Sequence, residues 1–586
     1  MNLFKIVFGT LLGLITFSIL MVVIALVLIG GSMVETPVAI EPNSIFKITL
    51  DRPIVEKEDN GMLAKFRRNI SGNDAGMGLY ELIQAIHMAK GNESVKGIYL
   101  EVGMFDAGYS ALYELRNALV DFKKSGKFIY AYGEILTEKS YYISSVADQL
   151  YMPESGLIEL NGLKVEVLYF KNLFEKLDLK TEVFKAGEFK SAVEPYISDK
   201  MSANDRLQSR ALMEDLYDEF LTKVSTSRGI SKEELFAISD SMKVRNSIDA
   251  LANKIITSVG YLSDVKDALA KQVKVDKEKD IKWCTYKSLN SSATQNESID
   301  KSVAIIYASG EIVQGGKNAK YISPETLIPE LRKAAEDDNI KAVVLRINSP
   351  GGSALASDIM WNEIIQLKKK KPVVASMSDV AASGGYYLAM GCDKIVATPN
   401  TITGSIGVFG LFVHAEKLLE NRLGVTSDRE KIGRYADIGS FSKSMGQDEK
   451  NIIQQEIEFI YKQFLSKAAK GRNMSVEQIA QHAGGRVWSG RDALAVGLVD
   501  TLGGIEDAIN LAAQLAKLKK DDYKILQFPD NDNDELLDLL EDKEASIFER
   551  QQKQALQGFY PYLELLQDMN RVKGVQTRLP YYFTIQ

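Results

Sequence analysis

Four short segments of the 586-residue chain carry residue types that could catalyse acyl transfer. DVAASGGYY surrounds Ser383 with alanines and glycines, and KAGEFKSAVEPY contains Lys190. INSPGGS includes Gly352, and TGSIGVFG places Ser405 among glycines. A serine hydroxyl is a weak nucleophile until a base takes its proton, and a neutral lysine can act as that base. The residues therefore allow a serine–lysine hydrolase, if folding brings the four segments together.

Each segment also has a purely structural interpretation. Pro-Gly-Gly is common in turns, although its N–H groups can also approach a ligand and stabilise an oxyanion. Ser383 stands at the start of a predicted helix, and the local sequence by itself favours an N-cap role there. A lysine beside Phe189 and Ala192 is usually solvated, and it becomes a base only if burial lowers its pKa.

The two halves of the chain are copies of each other. SYYISSVADQLYMPESG, from Ser140, aligns with GYYLAMGCDKIVATPNT, from Gly385, at an offset of about 245 residues. The same offset aligns VKGIYL with IKAVVL. A drift of about two residues further along the chain indicates a duplicated fold with small loop deletions.

The copies differ where chemistry would occur. Ser383 aligns with Glu138 in the first copy, whereas Lys190 aligns with Ala436 in the second. A duplicated enzyme that divided one active site between its halves would leave this pattern, and neutral divergence would leave it too. The pattern supports a shared site only together with the chemistry of the residues.

The elements that must position these residues alternate between strand and helix in both copies. The predicted strands are VKGIYLEV, KFIYAYG and ADQLYM in the first copy and KAVVLRIN, PVVASM and DKIVAT in the second. Helices are predicted for ALYELRNALVDFKKSG and SDIMWNEIIQLKKKK. This alternation is typical of parallel α/β folds with right-handed crossovers.

An uncharged run precedes the two copies. Ile6–Val34 contains no charged residue and exceeds the ~20 residues needed to cross a bilayer. GGS at 30–32 resembles a cleavage site, but the run is longer than the ~7–15 residues of a signal-peptide core. Lys5 precedes the run, so the positive-inside tendency places the short N-terminus in the cytoplasm and the bulk outside it.

These observations predict six parts of the chain. They are a cytoplasmic N-terminus (1–5), a transmembrane anchor (6–34), the first repeat with Lys190 (44–276), a linker (277–301), the second repeat with Ser383 (302–520) and a C-terminal tail (521–586). The linker is predicted from the polar, aperiodic SLNSSATQNES. The tail contains FERQQKQALQGFYPYLELLQDM, for which a helix is predicted.

Composition argues against several other classes of function. The net charge is -7 and no polybasic stretch occurs, so nucleic-acid binding is not expected. The three histidines have no second His or Cys at ligand spacing, so a His/Cys metal site is not expected. No cofactor is predicted. Two distant cysteines provide no disulfide framework.

Taken together, SPGGS, AASGGYY, TGSIGVFG and GEFKSAVEP resemble the signal peptide peptidase A (protease IV) family in its long bacterial form. The resemblance extends over nearly the whole chain after the uncharged run, including RDALAVGLVDTLGG. It implies an α/β fold of two tandem Clp protease/crotonase-like domains behind one N-terminal transmembrane helix.

The resemblance also implies roles for individual residues. Ser383 would be the nucleophile, Lys190 the general base and Ser405 the residue that positions the lysine, while Gly352 and Gly384 would supply oxyanion N–H groups. Ser383 and Ser405 compete for the nucleophile, and Ser383 is preferred because AASGG also matches the nucleophile position of the Clp fold.

The family further implies a biological setting. Its members are single-pass proteins of the bacterial inner membrane with the soluble part on the periplasmic side, and the long form is a homotetramer. Their substrates are signal peptides that remain in the membrane after preprotein processing. Two alternatives stay open: a non-catalytic membrane-anchored scaffold of the same fold, and a crotonase-like acyl-CoA enzyme.

Overall fold

The computed structural model describes residues 39–59, 76–292, 299–316, 318, 320–520, 522–529 and 574–578, with nine helical residues between 9 and 21. Most of the predicted anchor and the predicted tail helix lie outside these residues. Within the described ranges, no helix combines the length and the apolar character needed to cross a bilayer.

Twenty-four strands are described, and most are short. They are β1 (Ser44–Leu50), β2 (Ile54–Val55), β3 (Met77–Gly78), β4 (Val95–Val102), β5 (Phe128–Gly133), β6 (Ile135–Leu136), β7 (Gln149–Met152), β8 (Leu157–Ile158), β9 (Lys180–Ala186), β10 (Ser258–Val259), β11 (Trp283–Cys284), β12 (Ser302–Ser309), β13 (Glu311–Ile312), β14 (Tyr321–Ile322), β15 (Ile340–Ser349), β16 (Gly351–Ser353), β17 (Val373–Ala382), β18 (Lys394–Ala397), β19 (Ile402–Gly404), β20 (Val408–His414), β21 (Val487–Ser489), β22 (Thr501–Leu502), β23 (Lys524–Phe528) and β24 (Gly574–Arg578).

The α-helices from residue 79 onward connect and cover these strands. They are α1 (Leu79–Gly91), α2 (Tyr109–Lys123), α3 (Glu138–Ser144), α4 (Lys171–Lys176), α5 (Glu194–Ile197), α6 (Ala203–Arg228), α7 (Lys232–Asp240), α8 (Ser247–Ala252), α9 (Leu262–Val273), α10 (Tyr286–Ser292), α11 (Pro324–Glu336), α12 (Ala354–Lys368), α13 (Gly384–Ala389), α14 (Gln447–Arg472), α15 (Val476–His482), α16 (Gly490–Ala495) and α17 (Ile505–Leu515).

Two central sheets repeat the same strand order. The first central sheet runs β10-β7-β5-β4-β1-β11, and the second contains the matching series β22-β18-β17-β15-β12-β23. Every neighbouring pair in both series is parallel. The predicted parallel α/β arrangement and the internal duplication are therefore confirmed.

Hydrogen bonds repeat along with the strands. The hydroxyl of Tyr141 donates to the carbonyl of Ile255 over 3.0 Å, and that of Tyr386 donates to the carbonyl of Leu498 over 3.0 Å. Both tyrosines are fully buried. A buried phenol usually has a hydrogen-bond partner, and both copies have kept the same one.

The central strands form because their apolar residues run almost without interruption. In β15, IKAVVLRINS, eight of the ten residues are buried, as expected for a parallel strand covered on both faces. One buried residue of this strand is charged: Arg346, which is completely buried. Its guanidinium lies 2.7 Å from Glu56 and 2.7 Å from Glu114, which belong to the first copy. A buried cation paired in this way fixes one copy against the other.

A third sheet joins the two copies, and we call it the bridging sheet: β14-β13-β16-β24-β20-β9. Strand β9 belongs to the first copy and β20 to the second, and they pair antiparallel over seven residues, from Val408 opposite Ala186 to His414 opposite Lys180. Lys190 follows β9 by four residues, and Ser405 precedes β20 by three. This pairing carries the lysine of one copy to the glycine-rich turn of the other.

Strands also lie beyond the predicted ends of both repeats. Trp283–Cys284 pairs with β1 inside the predicted linker, and Lys524–Phe528 pairs with β12 inside the predicted tail. Both occupy the same edge of their sheets. A strand of two to five residues provides too little periodicity to be recognised in the sequence.

Candidate active site

Ser383 occupies the turn between β17 and α13. The end of β17 pairs with β19, and the backbone N–H of Ser383 donates to the carbonyl of Gly404 over 2.8 Å. Its φ of 57° and ψ of -112° lie outside the ordinary strand and helix regions. The serine stands at the N-cap, as expected, but its side chain makes no capping hydrogen bond. The strained turn instead leaves the hydroxyl available for another partner.

Lys190 is completely buried, in contrast to the solvated lysine that its neighbours suggest. The turn Gly484–Arg486 holds it in place: the N–H of Phe189 donates to the carbonyl of Gly484 over 2.9 Å. Gly485 has a φ of 83°, and a Cβ there would lie 2.7 Å from Lys190 backbone atoms. Only glycine permits this close approach at a positive φ.

The buried amine lies between two serines of the second copy. Nζ of Lys190 lies 2.8 Å from Oγ of Ser383, 3.0 Å from Oγ of Ser405 and 3.2 Å from the carbonyl oxygen of Ser405. A neutral amine has two N–H donors and one lone pair. Two donors directed at Ser405 leave the lone pair for the hydroxyl proton of Ser383.

Burial has a large electrostatic effect on Lys190. Desolvation holds the pKa of its ammonium well below the ordinary value of 10.5. No carboxylate contributes to this shift, so no opposing charge stabilises the protonated form. Burial therefore shifts the protonation equilibrium of Lys190 toward the neutral amine, the form that can accept a proton.

Ser405 is fixed by the same turn that holds the lysine. Its N–H donates to the carbonyl of Arg486 over 2.7 Å, and its φ is 51°. Its side chain is fully buried. Ser405 thus presents both its hydroxyl and its carbonyl to the amine, while Ser383 presents only its hydroxyl.

Two predicted oxyanion residues lie beside the serine turn. Gly384 begins α13, so its N–H belongs to the first turn of a helix, where no intrahelical acceptor exists. Gly352 has a φ of 153°, and a Cβ there would lie 1.9 Å from the carbonyl oxygen of Ile312. A Cβ on Gly351 would lie 2.6 Å from the nitrogen of Gly384, which places the glycine pair against the serine turn.

The structure therefore brings together all five residues singled out in the sequence. The first copy has no equivalent chemistry at the position aligned with Ser383. There, the carboxylate of Glu138 accepts hydrogen bonds from the N–H groups of Asn161 and Gly162, over 3.0 and 2.8 Å. The Glu138 carboxylate is thus hydrogen-bonded to the backbone of its own copy.

One supporting group was missed in the sequence. Gln208 donates to Asp205 over 3.0 Å and to Ser191 over 2.9 Å, while its own carbonyl accepts from the N–H of Val487 over 3.2 Å. Ser191 adjoins Lys190, so this buried network secures the lysine segment against the second copy. Asp205 and Gln208 lie three apart on α6, a spacing too common to have marked them.

No group of His, Cys, Asp and Glu suited to a metal ion occurs among the residues that the structure describes. The five residues at the site offer hydroxyls, an amine and backbone amides. These are the groups needed for nucleophilic attack on a carbonyl and for stabilising the resulting oxyanion.

Comparison with known proteins assigns this arrangement to a family. Peptidase family S49 matches residues 121–276 and 365–519, and the Clp protease family matches residues 294–403. The two S49 matches fall on the two copies of the duplicated fold. Membership in a peptidase family does not favour the acyl-CoA enzyme or the non-catalytic scaffold.

Individual relatives agree with the family matches. Protease 4 of Salmonella typhi is 35% identical over 514 residues, covering 86% of this chain and 81% of the relative. The chloroplastic serine protease SPPA of Arabidopsis thaliana is 32% identical over 516 residues, covering 86% of this chain and 74% of the relative. A putative signal peptide peptidase SppA of Enterococcus faecium is 35% identical over 224 residues, covering 37% of this chain and 65% of the relative. The chain thus belongs to peptidase family S49, in its signal peptide peptidase A (protease IV) branch, and is a serine peptidase with a duplicated Clp-like fold.

Proposed function

We propose that the protein is a membrane-anchored endopeptidase in which Ser383 is the nucleophile and Lys190 the general base. The 2.8 Å contact between a buried lysine of one copy and a serine of the other carries this proposal. Its substrates are signal peptides that remain in the membrane after preprotein processing. One relative bears the name of a putative signal peptide peptidase, which supports this choice of substrate.

The reaction follows from the positions of the side chains. Oγ of Ser383 attacks the substrate carbonyl carbon while Nζ of Lys190 takes the hydroxyl proton. The oxygen of the tetrahedral intermediate becomes negative and is stabilised by the N–H groups of Gly352 and Gly384. Lys190 then gives its proton to the leaving amine, and the C–N bond breaks to leave an acyl-enzyme. Water activated by Lys190 hydrolyses the ester and restores both groups.

Substrates bind as extended chains along the edge of β16 on which β24 lies in this structure, because an extended peptide can be recognised by strand addition. Ala381 and Ala382 are fully buried next to the nucleophile, and Gly384 and Gly385 follow it. These small, uncharged neighbours allow close approach of a backbone and offer no charge for recognition. They favour apolar peptides with small or aliphatic side chains near the cut.

Ser405 positions the lysine in this mechanism. Two substitutions distinguish the loss of its hydroxyl from an effect on the backbone at its positive φ. We expect Ser405→Ala to lower kcat by about 100-fold, the typical effect of a misplaced reacting group, with little change in KM or in unfolding temperature. Ser405→Gly tolerates the positive φ and should lose as much, because it also lacks the hydroxyl. Full activity in Ser405→Gly would show that the hydroxyl is not needed.

The proposed setting is the bacterial inner membrane, with the segment 6–34 as a single anchor, the catalytic part on the periplasmic side and four chains in each assembly. The uncharged Ile6–Val34 run supports the anchor. An assembly of several chains around the sites would admit peptides and unfolded segments and exclude folded proteins.

Signal-peptide turnover in living cells tests the proposed substrate and the anchor together. In a strain lacking the protein, we expect a pulse-labelled signal peptide to persist in the membrane and to disappear when the wild type is restored. Ser383→Ala should fail to clear it. A variant without residues 6–34 should cleave the same peptide in detergent solution but clear membranes poorly. Equal clearance by wild type and Ser383→Ala would contradict the proposed function.

A further inference from the structure

The bridging sheet contains one strand from neither repeat. Strand β24, residues 574–578, lies between β16 and β20 and is antiparallel to both. On one side Gly351, Gly352 and Ser353 face Arg578, Thr577 and Gln576, and on the other side Phe409 faces Gln576. The segment thus has a strand partner along each edge.

The register places Thr577 opposite Gly352, one of the two glycines assigned to the oxyanion. Its side chain is fully buried, and its hydroxyl donates to the carbonyl of Gly352 over 3.2 Å. A Cβ on Gly351 would lie 2.2 Å from the carbonyl oxygen of Thr577 and 2.6 Å from the nitrogen of Gly384. The Thr577 carbonyl and the Gly384 amide assigned to the oxyanion therefore both border the same small space at Gly351.

Side chains on both sides of Thr577 also have specific partners. Nη1 of Arg578 lies 3.1 Å from Oε1 of Glu311, and both side chains are largely buried. Val575 packs on an apolar cluster shared by the two copies, which includes Phe184 and Val408. The five residues of β24 thus make a salt bridge, an apolar contact and backbone hydrogen bonds to a strand on each side.

We propose that residues 574–578 occupy the substrate-binding strand of this chain and compete with peptide substrates for it. The inference rests on the proposed function, because it takes Gly351–Ser353 as the edge that receives substrate. A peptide recognised by strand addition needs unpaired N–H and C=O groups on that edge. With β24 in place these groups are already paired, so the segment must leave before substrate binds.

Charge reversal at the Arg578–Glu311 pair tests the competition in the full-length protein. In Arg578→Glu the new carboxylate faces Glu311, and the repulsion should release the strand. We expect KM for an apolar peptide to fall about tenfold with kcat unchanged. A tenfold change corresponds to a segment that occupies the site in about nine-tenths of the molecules. Arg578→Lys keeps the charge and should resemble the wild type. Glu311→Arg combined with Arg578→Glu restores the attraction and should restore the higher KM. Val575→Pro removes a backbone donor and should act like Arg578→Glu without altering charge.

A binding measurement separates this inference from the proposed function. In full-length Ser383→Ala, a fluorescent uncleavable apolar peptide should bind about tenfold more tightly once Arg578→Glu or Val575→Pro is added. If both variants keep the wild-type unfolding temperature and show no change in KM or in peptide affinity, the proposal that β24 occupies the substrate-binding strand is wrong. If the wild type and the strand variants all lack peptidase activity, the proposed function is refuted. The peptide affinities would still show whether β24 competes for the binding strand.

Discussion

Replacing Ser383 or Lys190 by alanine is expected to lower kcat/KM for peptides by about 10⁴-fold or more, in line with the loss of one member of a nucleophile–base pair. The two side chains form one unit through the 2.8 Å contact between Nζ and Oγ. Without the lysine, the hydroxyl keeps its proton; without the serine, the amine has no nucleophile to activate. The double variant should therefore be little worse than either single variant.

Matched controls distinguish loss of chemistry from loss of structure. Ser144 is equally buried but lies in the first copy, and Ser144→Ala should remain active. Lys127 donates over 2.7 Å to the carbonyls of Ala89 and Asn92, so Lys127→Ala should affect stability rather than turnover. Near-normal turnover in Ser383→Ala together with inactivity of Ser405→Ala would transfer the nucleophile to Ser405.

The rate of hydrolysis is expected to rise with pH because only the unprotonated amine of Lys190 accepts the serine proton. Desolvation depresses the pKa of Lys190 well below 10.5, so the active form appears at a lower pH than for a solvated lysine. Below this pKa, kcat/KM should fall about tenfold per pH unit as the amine becomes protonated. Above it, the rate should reach a plateau.

The pH profile requires chemistry to be rate-limiting and the protein to stay folded. Two peptides that differ in intrinsic reactivity should give the same apparent pKa in kcat/KM, and activity should recover fully when samples return to about pH 8. A flat profile from about pH 6 to about pH 9 would contradict lysine as the base. A midpoint near 10.5 would contradict its burial in the free enzyme.

Much of the central fold could be predicted because long buried strands have an unmistakable composition. VKGIYLEV coincides with Val95–Val102, and the helix predicted for SDIMWNEIIQLKKKK overlaps Ala354–Lys368. Both owe their structure to local patterns, a continuous apolar run in one case and a helical period in the other. Because the two copies align, a strand or helix predicted in one copy supported the same prediction in the other.

The site was recognisable as a set of motifs, but its burial was not. The sequence around Lys190 is typical of a solvated lysine, and the glycine turn that covers it, Gly484–Arg486, lies almost 300 residues away. Strand β24 escaped notice for a related reason. GVQTR is short and mostly polar, and only its partners in the bridging sheet make it a strand. Local periodicity does not contain such long-range contacts.

The central claim is that Lys190 of the first copy activates Ser383 of the second. The most direct test is to react the purified protein with a serine-directed acylating probe and to map the label by mass spectrometry. The account predicts one label per chain, on Ser383, and its near-complete loss in Lys190→Ala although Ser383 is still present. A label on Ser405, or equally fast labelling of Ser383 in Lys190→Ala, would contradict it.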